Sequence, residues 1–270
     1  MDTAAAAEHL FAHRRDRRVM VDLPAGLRPA DLAEAYAVQD DLVARLVAAA
    51  SFGTAPDDGP DRPVGYKVAC TNTIAQDALK IDRPLFGRLL ASSTFGSPAS
   101  LDASRFTTRV VEAEFGVLVG RDVPAGSGPH DPDSIARFVE AILPSIEIVD
   151  HRFEDWSVGA LSVAADNAIH GCWVRGEPFA GDWRDLDLAA HDVTVRVDGE
   201  VVTTGTGAAV LGHPLAVVAW LADELEAFGR QLRAGDLITT GVCTDVFEAQ
   251  AGQQVVADFG PLGQVEISWR

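Results

Sequence analysis

RVVEAEFGVLVG (residues 109–120) sets two glutamates in a run that is otherwise largely β-branched, aromatic and aliphatic. Val110, Val111, Phe115, Val117, Leu118 and Val119 suit a pleated, half-buried surface, so the segment reads as a β-strand. Residues two apart on a strand share a face. Glu112 and Glu114 therefore point one way, and Val111, Ala113, Phe115 and Val117 line the other. Two carboxylates this close raise each other's proton affinity unless a cation lies between them. A third, Glu147, sits in ILPSIEIVD (142–150) among Ile142, Leu143, Ile146, Ile148 and Val149, where an unpaired charge would be costly. Three carboxylates from two strands can form a facial set for a hard cation such as Mg²⁺, Mn²⁺ or Ca²⁺, and no paired Cys or His points to structural zinc. Spacing alone equally allows Glu112 and Glu114 on the solvated face of an edge strand, with Glu147 meeting an arginine.

Further strands are expected at 64–69, 172–175, 192–197, 200–204, 237–240, 253–258 and 264–269, with 142–149 beside the Glu147 motif. Asp198-Gly199, between VTVRV and EVVTT, is a type I′ hairpin signal. Two helices open the chain. In the second, Asp31 and Glu34 make a capping-box-like start, and Leu32, Ala35, Val38, Leu42 and Leu46 recur at helical spacing. Later helices are expected at about 72–79, 132–140 and 213–228, the last ended by Gly229. Residues 51–62, rich in Gly, Pro and Asp, read as a loop. Strands and helices do not alternate, and no Gly-rich phosphate loop follows a strand, which argues against a doubly wound fold. The expectation is α+β: an N-terminal helical segment over 1–60 packed on a strand-rich body over 61–270, one functional domain overall.

The chain's 40 acidic and 22 basic residues give a net charge of -18, unsuited to nucleic acid or an anionic membrane. No run of eighteen apolar residues predicts a bilayer span, and the N-terminus lacks a secretory signal pattern. Cys70, Cys172 and Cys243 lie far apart, which argues against a disulfide framework and for a cytoplasmic protein.

Of 22 basic side chains only Lys67 and Lys80 are lysines. Lys67 lies in the apolar stretch PVGYKVAC, and a buried lysine, unlike an arginine, can give up its proton. It is a candidate acid/base or carboxylate partner, or a lysine snorkelling from a strand end. Asp166-Asn167 could bond a substrate carboxylate or simply form a turn. Arg152 could clamp a substrate carboxylate. His151 and His170 could ligate or act as bases, though neither has a partner at diagnostic spacing. No nucleophile elbow supports a Ser-His-Asp hydrolase.

The order of motifs resembles the 2-keto-4-pentenoate hydratase / 4-oxalocrotonate decarboxylase family of the fumarylacetoacetate hydrolase superfamily. The stretches that carry it are AYAVQDDL, VGYKVACTNTIAQ, RPLFGRLL, VVEAEFGVLVGRDV, ILPSIEIVDHRF, AADNA, GTGAAVLGHPLAVVAWLADEL, LRAGDLITTGVCT and VADFGPLGQVEISW, from about residue 30 onward. The resemblance implies a mixed β-roll of the superfamily's C-terminal-domain type. It implies Mg²⁺ or Mn²⁺ on Glu112, Glu114 and Glu147, an active-site lysine at Lys67, and a homo-oligomer, a dimer or larger. The substrate would be a small 2-oxo or 2-hydroxy-dienoate acid, near Thr71, Leu85, Arg152 and Asp166. The implied activity is a lyase, a hydratase first and a 4-oxalocrotonate-type decarboxylase second. A C–C hydrolase or a silent keto-acid-binding member are the remaining readings. The chain departs from the pattern twice: Leu85 replaces an acid common in the hydratases, and Ile169 stands where a small polar residue is common.

Overall fold

The computed structural model describes residues 1–49, 60–155 and 158–270, so most of the loop expected at 51–62 lies outside the described residues. Helices α1 (Thr3–Asp16) and α2 (Leu32–Ala49) precede strand β1 (Pro63–Ala69), helix α3 (Thr73–Leu79) and strand β2 (Leu85–Leu90). Short strands β3 (Thr94–Gly96) and β4 (Ala99–Leu101) lead to the long β5 (Val110–Val119). Next come α4 (Pro132–Ala136), β6 (Val139–Val149), α5 (Ala160–Ala165) and β7 (His170–Arg175). Strands β8 (Asp192–Val197) and β9 (Glu200–Thr206) precede α6 (Pro214–Ala227). Strands β10 (Leu237–Val242), β11 (Phe247–Glu248), β12 (Gln254–Asp258) and β13 (Gln264–Trp269) complete the chain.

The larger sheet runs β2-β1-β10-β5-β6-β7-β3, with β11 also paired to β5. The smaller runs β4-β13-β12-β8-β9. Most pairs are antiparallel, but β1–β10, β3–β7 and β4–β13 are parallel, so both sheets are mixed, as the α+β reading expects. On β12 and β13 buried and half-exposed positions alternate, the mark of a sheet with one wet face. Strand β6 is buried at nearly every position instead. The smaller sheet covers one face of the larger, and Phe115 meets Phe259 edge-on at 5.3 Å between them. ILPSIEIV is a continuous apolar run, not an alternating one, because both of its faces are covered.

Local signals behave as their chemistry requires. Asp198 and Gly199 have φ of 51° and 89°, the two left-handed residues of a type I′ turn. Gly229 (φ 67°) ends α6, with the Arg230 N–H reaching back to the Leu225 carbonyl at 2.9 Å. At the start of α2, Asp31 accepts from the Glu34 N–H, while Glu34 reaches back to the N–H of Ala30. The helix expected over 132–140 stops at Ala136, and β6 begins at Val139 because Val139 pairs with Val119. Strands β2, β3, β4 and β11 were not expected: three are two or three residues long, and Gly87 interrupts the apolar pattern of β2. Gly87 is required there, since a Cβ would sit 2.5 Å from the Asn167 carbonyl oxygen.

Residues 207–227 are apolar enough in composition to cross a membrane. In this fold α6 buries Leu215, Val217, Val218, Leu221 and Leu225 in the protein's own core. The N-terminal helices are joined to the strands by Gln39 of α2. Its buried amide donates to the carbonyls of Phe86 (2.9 Å) and Ala164 (2.8 Å), so α2, β2 and α5 share one side chain. Cys70, Cys172 and Cys243 are all buried free thiols.

Candidate metal centre

Adjacent strands β1, β10, β5, β6 and β7 each bring one part of a polar cluster to the middle of the larger sheet. Glu112 on β5 lies directly opposite Glu147 on β6, and Glu114 opposite Ser145. One carboxylate oxygen from each of Glu112, Glu114 and Glu147 lies within 4.8 Å of the others. Glu114 and Glu147 are fully buried and Glu112 is half-buried, so the cluster is most open beside Glu112.

The two buried carboxylates are held on one side only. Glu114 Oε2 accepts from the Gly241 N–H at 2.6 Å and from the Thr239 hydroxyl. The N–H is available because β10 is irregular between Thr239 and Val242, with Gly241 at φ 91°. Glu147 Oε1 takes His170 Nδ1 at 2.8 Å and Lys67 Nζ at 3.3 Å. A carboxylate only accepts, so Nδ1 carries the imidazole proton and Nε2 accepts from Ser93 Oγ at 3.3 Å. The second oxygens, Glu114 Oε1 and Glu147 Oε2, are buried with no hydrogen-bond partner. Unmet acceptors in an interior cost free energy. Two of them beside a third carboxylate form an all-oxygen donor set, which suits Mg²⁺ or Mn²⁺.

The three glutamates differ in charge state. Burial pushes Glu112 up to about 7, with Glu147 adding to the rise against the opposing Lys67. Burial, Glu147 and Glu112 hold Glu114 well above the usual carboxylate range. Burial also acts on Glu147, but Lys67 and His170 outweigh it and leave Glu147 below its ordinary value. Lys67 answers in kind: burial would lower it, yet the three glutamates raise it, so it is an ammonium. A lysine that readily loses its proton is therefore not what the metal-free cluster contains. The alternative of a snorkelling lysine also fails, since Lys67 is 1% exposed.

Lys67 Nζ donates to the Ala168 carbonyl at 2.9 Å. Asn167, Ala168 and Ile169 all have left-handed backbone, at φ 54°, 48° and 55°. Each such residue costs about 1–2 kcal/mol, and such strain persists only where the surroundings over-determine it. Asn167 supplies part of that: its Oδ1 accepts from the Arg88 N–H at 2.7 Å, and its Nδ2 donates to the Arg88 carbonyl at 3.0 Å. The expected turn at Asp166-Asn167 exists, and it presents a carbonyl to the lysine.

The other expected site residues fall into two groups. The Thr71 hydroxyl packs on Gly241, where a Cβ would lie 2.0 Å from it, next to the N–H that holds Glu114. Leu85 is fully buried opposite Ala69, one pair along the same sheet face from Lys67 and Gly87. Asp166 and Arg152 bond each other instead: Asp166 takes Arg14 Nε (2.7 Å) and Arg152 Nε (2.8 Å), and Arg152 also holds Asp150 (3.0 Å). Sequence reasoning missed the clamps Thr239 and Gly241, and it offered His170 as a ligand or base, whereas His170 holds Glu147. The ITTG stretch was a possible signal, since a glycine breaking a strand marks a bulge.

A family model for the fumarylacetoacetate (FAA) hydrolase C-terminal region matches residues 64–268. The chain belongs to the fumarylacetoacetate hydrolase C-terminal family. Within that family, 2-keto-4-pentenoate hydratase 1 of Dechloromonas aromatica (strain RCB) is 34% identical over 266 residues, 98% of this chain and 96% of the relative. The 4-oxalocrotonate decarboxylase of Pseudomonas putida is 31% identical over 233 residues, 86% of this chain and 83% of the relative. The solved 4-oxalocrotonate decarboxylase from Pseudomonas putida G7, complexed with magnesium and adipate, superposes with a TM-score of 0.89. It is 27% identical, and the match covers 99% of this chain and 97% of that one. The expected mixed β-roll is thus the family's fold.

Proposed function

We propose that the protein is a divalent-metal-dependent lyase acting on a small 2-oxo or 2-hydroxy-dienoate acid, a hydratase of the 2-keto-4-pentenoate type. The observation that carries this reading is the pair of unpartnered oxygens, Glu114 Oε1 and Glu147 Oε2, beside Glu112 and a buried ammonium. Hydratase relatives that align over nearly the whole chain support it.

Glu112, Glu114 and Glu147 are assigned as the ligands of Mg²⁺ or Mn²⁺. That cation would supply Lewis-acid polarisation of the acid's carboxylate and 2-oxo oxygens, favouring the enolate. The side chains do the rest. Thr239, Gly241 and His170 fix the two buried carboxylates, so little reorganisation is needed when charge develops. Lys67 Nζ, anchored by Glu147 and Ala168, stabilises negative charge on the enolate and holds a proton to deliver to it. Thr71 and Leu85 flank the substrate. Asp166 and Arg152 act through position, holding the segment that carries Ala168.

The decarboxylase is the second reading, favoured by Leu85 in place of an acid and by the fold of the magnesium–adipate relative. Residues 1–60 and 61–270 are assigned to one functional domain, in a cytoplasmic homo-oligomer. Incubation with 2-hydroxypenta-2,4-dienoate and with 2-oxohex-3-enedioate in Mg²⁺, followed by product mass, separates the two. Hydration gives a product heavier by one water from the first acid. Loss of CO₂ from the second with no hydration of the first selects the decarboxylase, and no turnover of either rejects both.

A further inference from the structure

Outside the metal cluster, five arginines gather around one cavity. A cleft of about 340 Å³ is lined by Arg14, Arg15, Arg17, Arg105 and Arg152, with Asp150 the one acidic lining residue among the described residues. In a chain of net charge -18 this is a local reversal of sign. None of Glu112, Glu114 and Glu147 lines the cleft, so it is separate from the metal cluster.

Two of the arginines are explained by the fold. Arg14 spends its guanidinium on Asp166 and on the carbonyls of His170 and Asp166. Arg15 pairs with its neighbour Asp16 in solvent. Arg152 is different. It is 1% exposed, with Nε on Asp166 and Nη1 on Asp150, but its Nη2 is buried without any hydrogen-bond partner. A buried cationic donor is normally satisfied, and an anion in the cleft that Arg152 lines would complete it.

We propose that this cleft is a binding site for a small multivalent oxyanion, carrying phosphate or carboxylate groups, seated against the Arg152 guanidinium and reached by Arg17 and by Arg15 in exchange for Asp16. Guanidinium forks match both groups in planar, bidentate fashion, and the volume suits a metabolite-sized ligand. The site lies against Asp166, two residues before the Ala168 carbonyl that holds Lys67.

Calorimetric titration of the EDTA-treated full chain at low ionic strength, with inorganic phosphate and separately with tricarballylate, tests the proposal. One saturable site per chain is expected for at least one probe, and the stronger binder identifies the class. Binding should weaken about tenfold or more in Arg15→Gln/Arg17→Gln, which removes two charge-assisted contacts at exposed positions. It should be unchanged in Glu114→Gln. No saturable binding, equal binding by the arginine variant, or loss of binding in Glu114→Gln, which would place the anion at the metal cluster, overturns it.

Discussion

Glu114→Gln and Glu147→Gln make the same substitution in the same cluster, yet the structure assigns them opposite consequences for the metal-free protein. Glu147 is held below its ordinary value and is the close counterion of Lys67, which is 1% exposed and 3.3 Å away. Neutralising it strands a buried ammonium beside two carboxylates that resist ionisation. Breaking a buried pair from one side costs about 3–5 kcal/mol. At about 2–4 °C per kcal/mol for a chain of this size, the melting temperature should fall by roughly 6–20 °C. Glu114 is held well above its ordinary value by burial and by Glu147 and Glu112, so its ionisation in the metal-free protein is opposed. Glutamine keeps the acceptor that Thr239 and Gly241 require and removes a carboxylate whose ionisation is opposed, so Glu114→Gln should stay within about 1 kcal/mol of the parent. Both variants should lose the stabilisation that Mg²⁺ gives the parent. Thermal melts in EDTA and in excess Mg²⁺ read both effects. If the two variants melt together in EDTA, or if Glu147→Gln matches the parent, the division of charge described above is wrong.

Three further outcomes follow from the same geometry. Raised carboxylates stabilise the fold while protonated, so the contribution of Glu112 and Glu114 is full below the ordinary 4.5 and is lost as pH rises through about 7 for Glu112. The melting shift produced by Mg²⁺ should therefore grow between pH 5.5 and 8, and a shift that shrinks over that range contradicts the assignment. Gly241→Ala puts a Cβ 2.0 Å from the Thr71 hydroxyl at φ 91°, so it should cost about 1–3 kcal/mol. By displacing the N–H on Glu114 it should also weaken Mn²⁺ binding about 10–100-fold in calorimetry, and unaltered affinity would show that this clamp is dispensable. Lys67→Met should lower kcat by about 10²–10⁴-fold while Mg²⁺ binds at least as tightly, because a cation beside the site is gone. Unimpaired turnover would remove Lys67 from the chemistry.

The residue types of the cluster were legible because their neighbours are so apolar. Glutamates at 112, 114 and 147 and a lysine at 67 stand in strands where charge has no other excuse, and the structure brings all four together. The type I′ turn at Asp198-Gly199 and the Gly229 cap were equally readable, since backbone sterics act within a few residues. What stayed hidden depends on pairing between distant strands. The clamp on Glu114 exists because β10 bulges at Gly241 beside β5, and the clamp on Glu147 because β7 brings His170 across from Val149. The partner of Arg152 was hidden for the same reason, since only folding delivers Asp166 to it. The charge states, too, follow from burial and from one lysine shared unequally among three carboxylates, which no spacing displays.

A crystal structure of the parent protein grown with Mn²⁺, with data at the manganese absorption edge, tests the central claim most directly. The expected result is one anomalous peak between Glu112, Glu114 and Glu147. It should lie at about 2.1 Å from the Glu114 oxygen turned away from Thr239 and Gly241 and from the Glu147 oxygen turned away from His170. A peak elsewhere, or ligation through the clamped oxygens in place of the free ones, would contradict it.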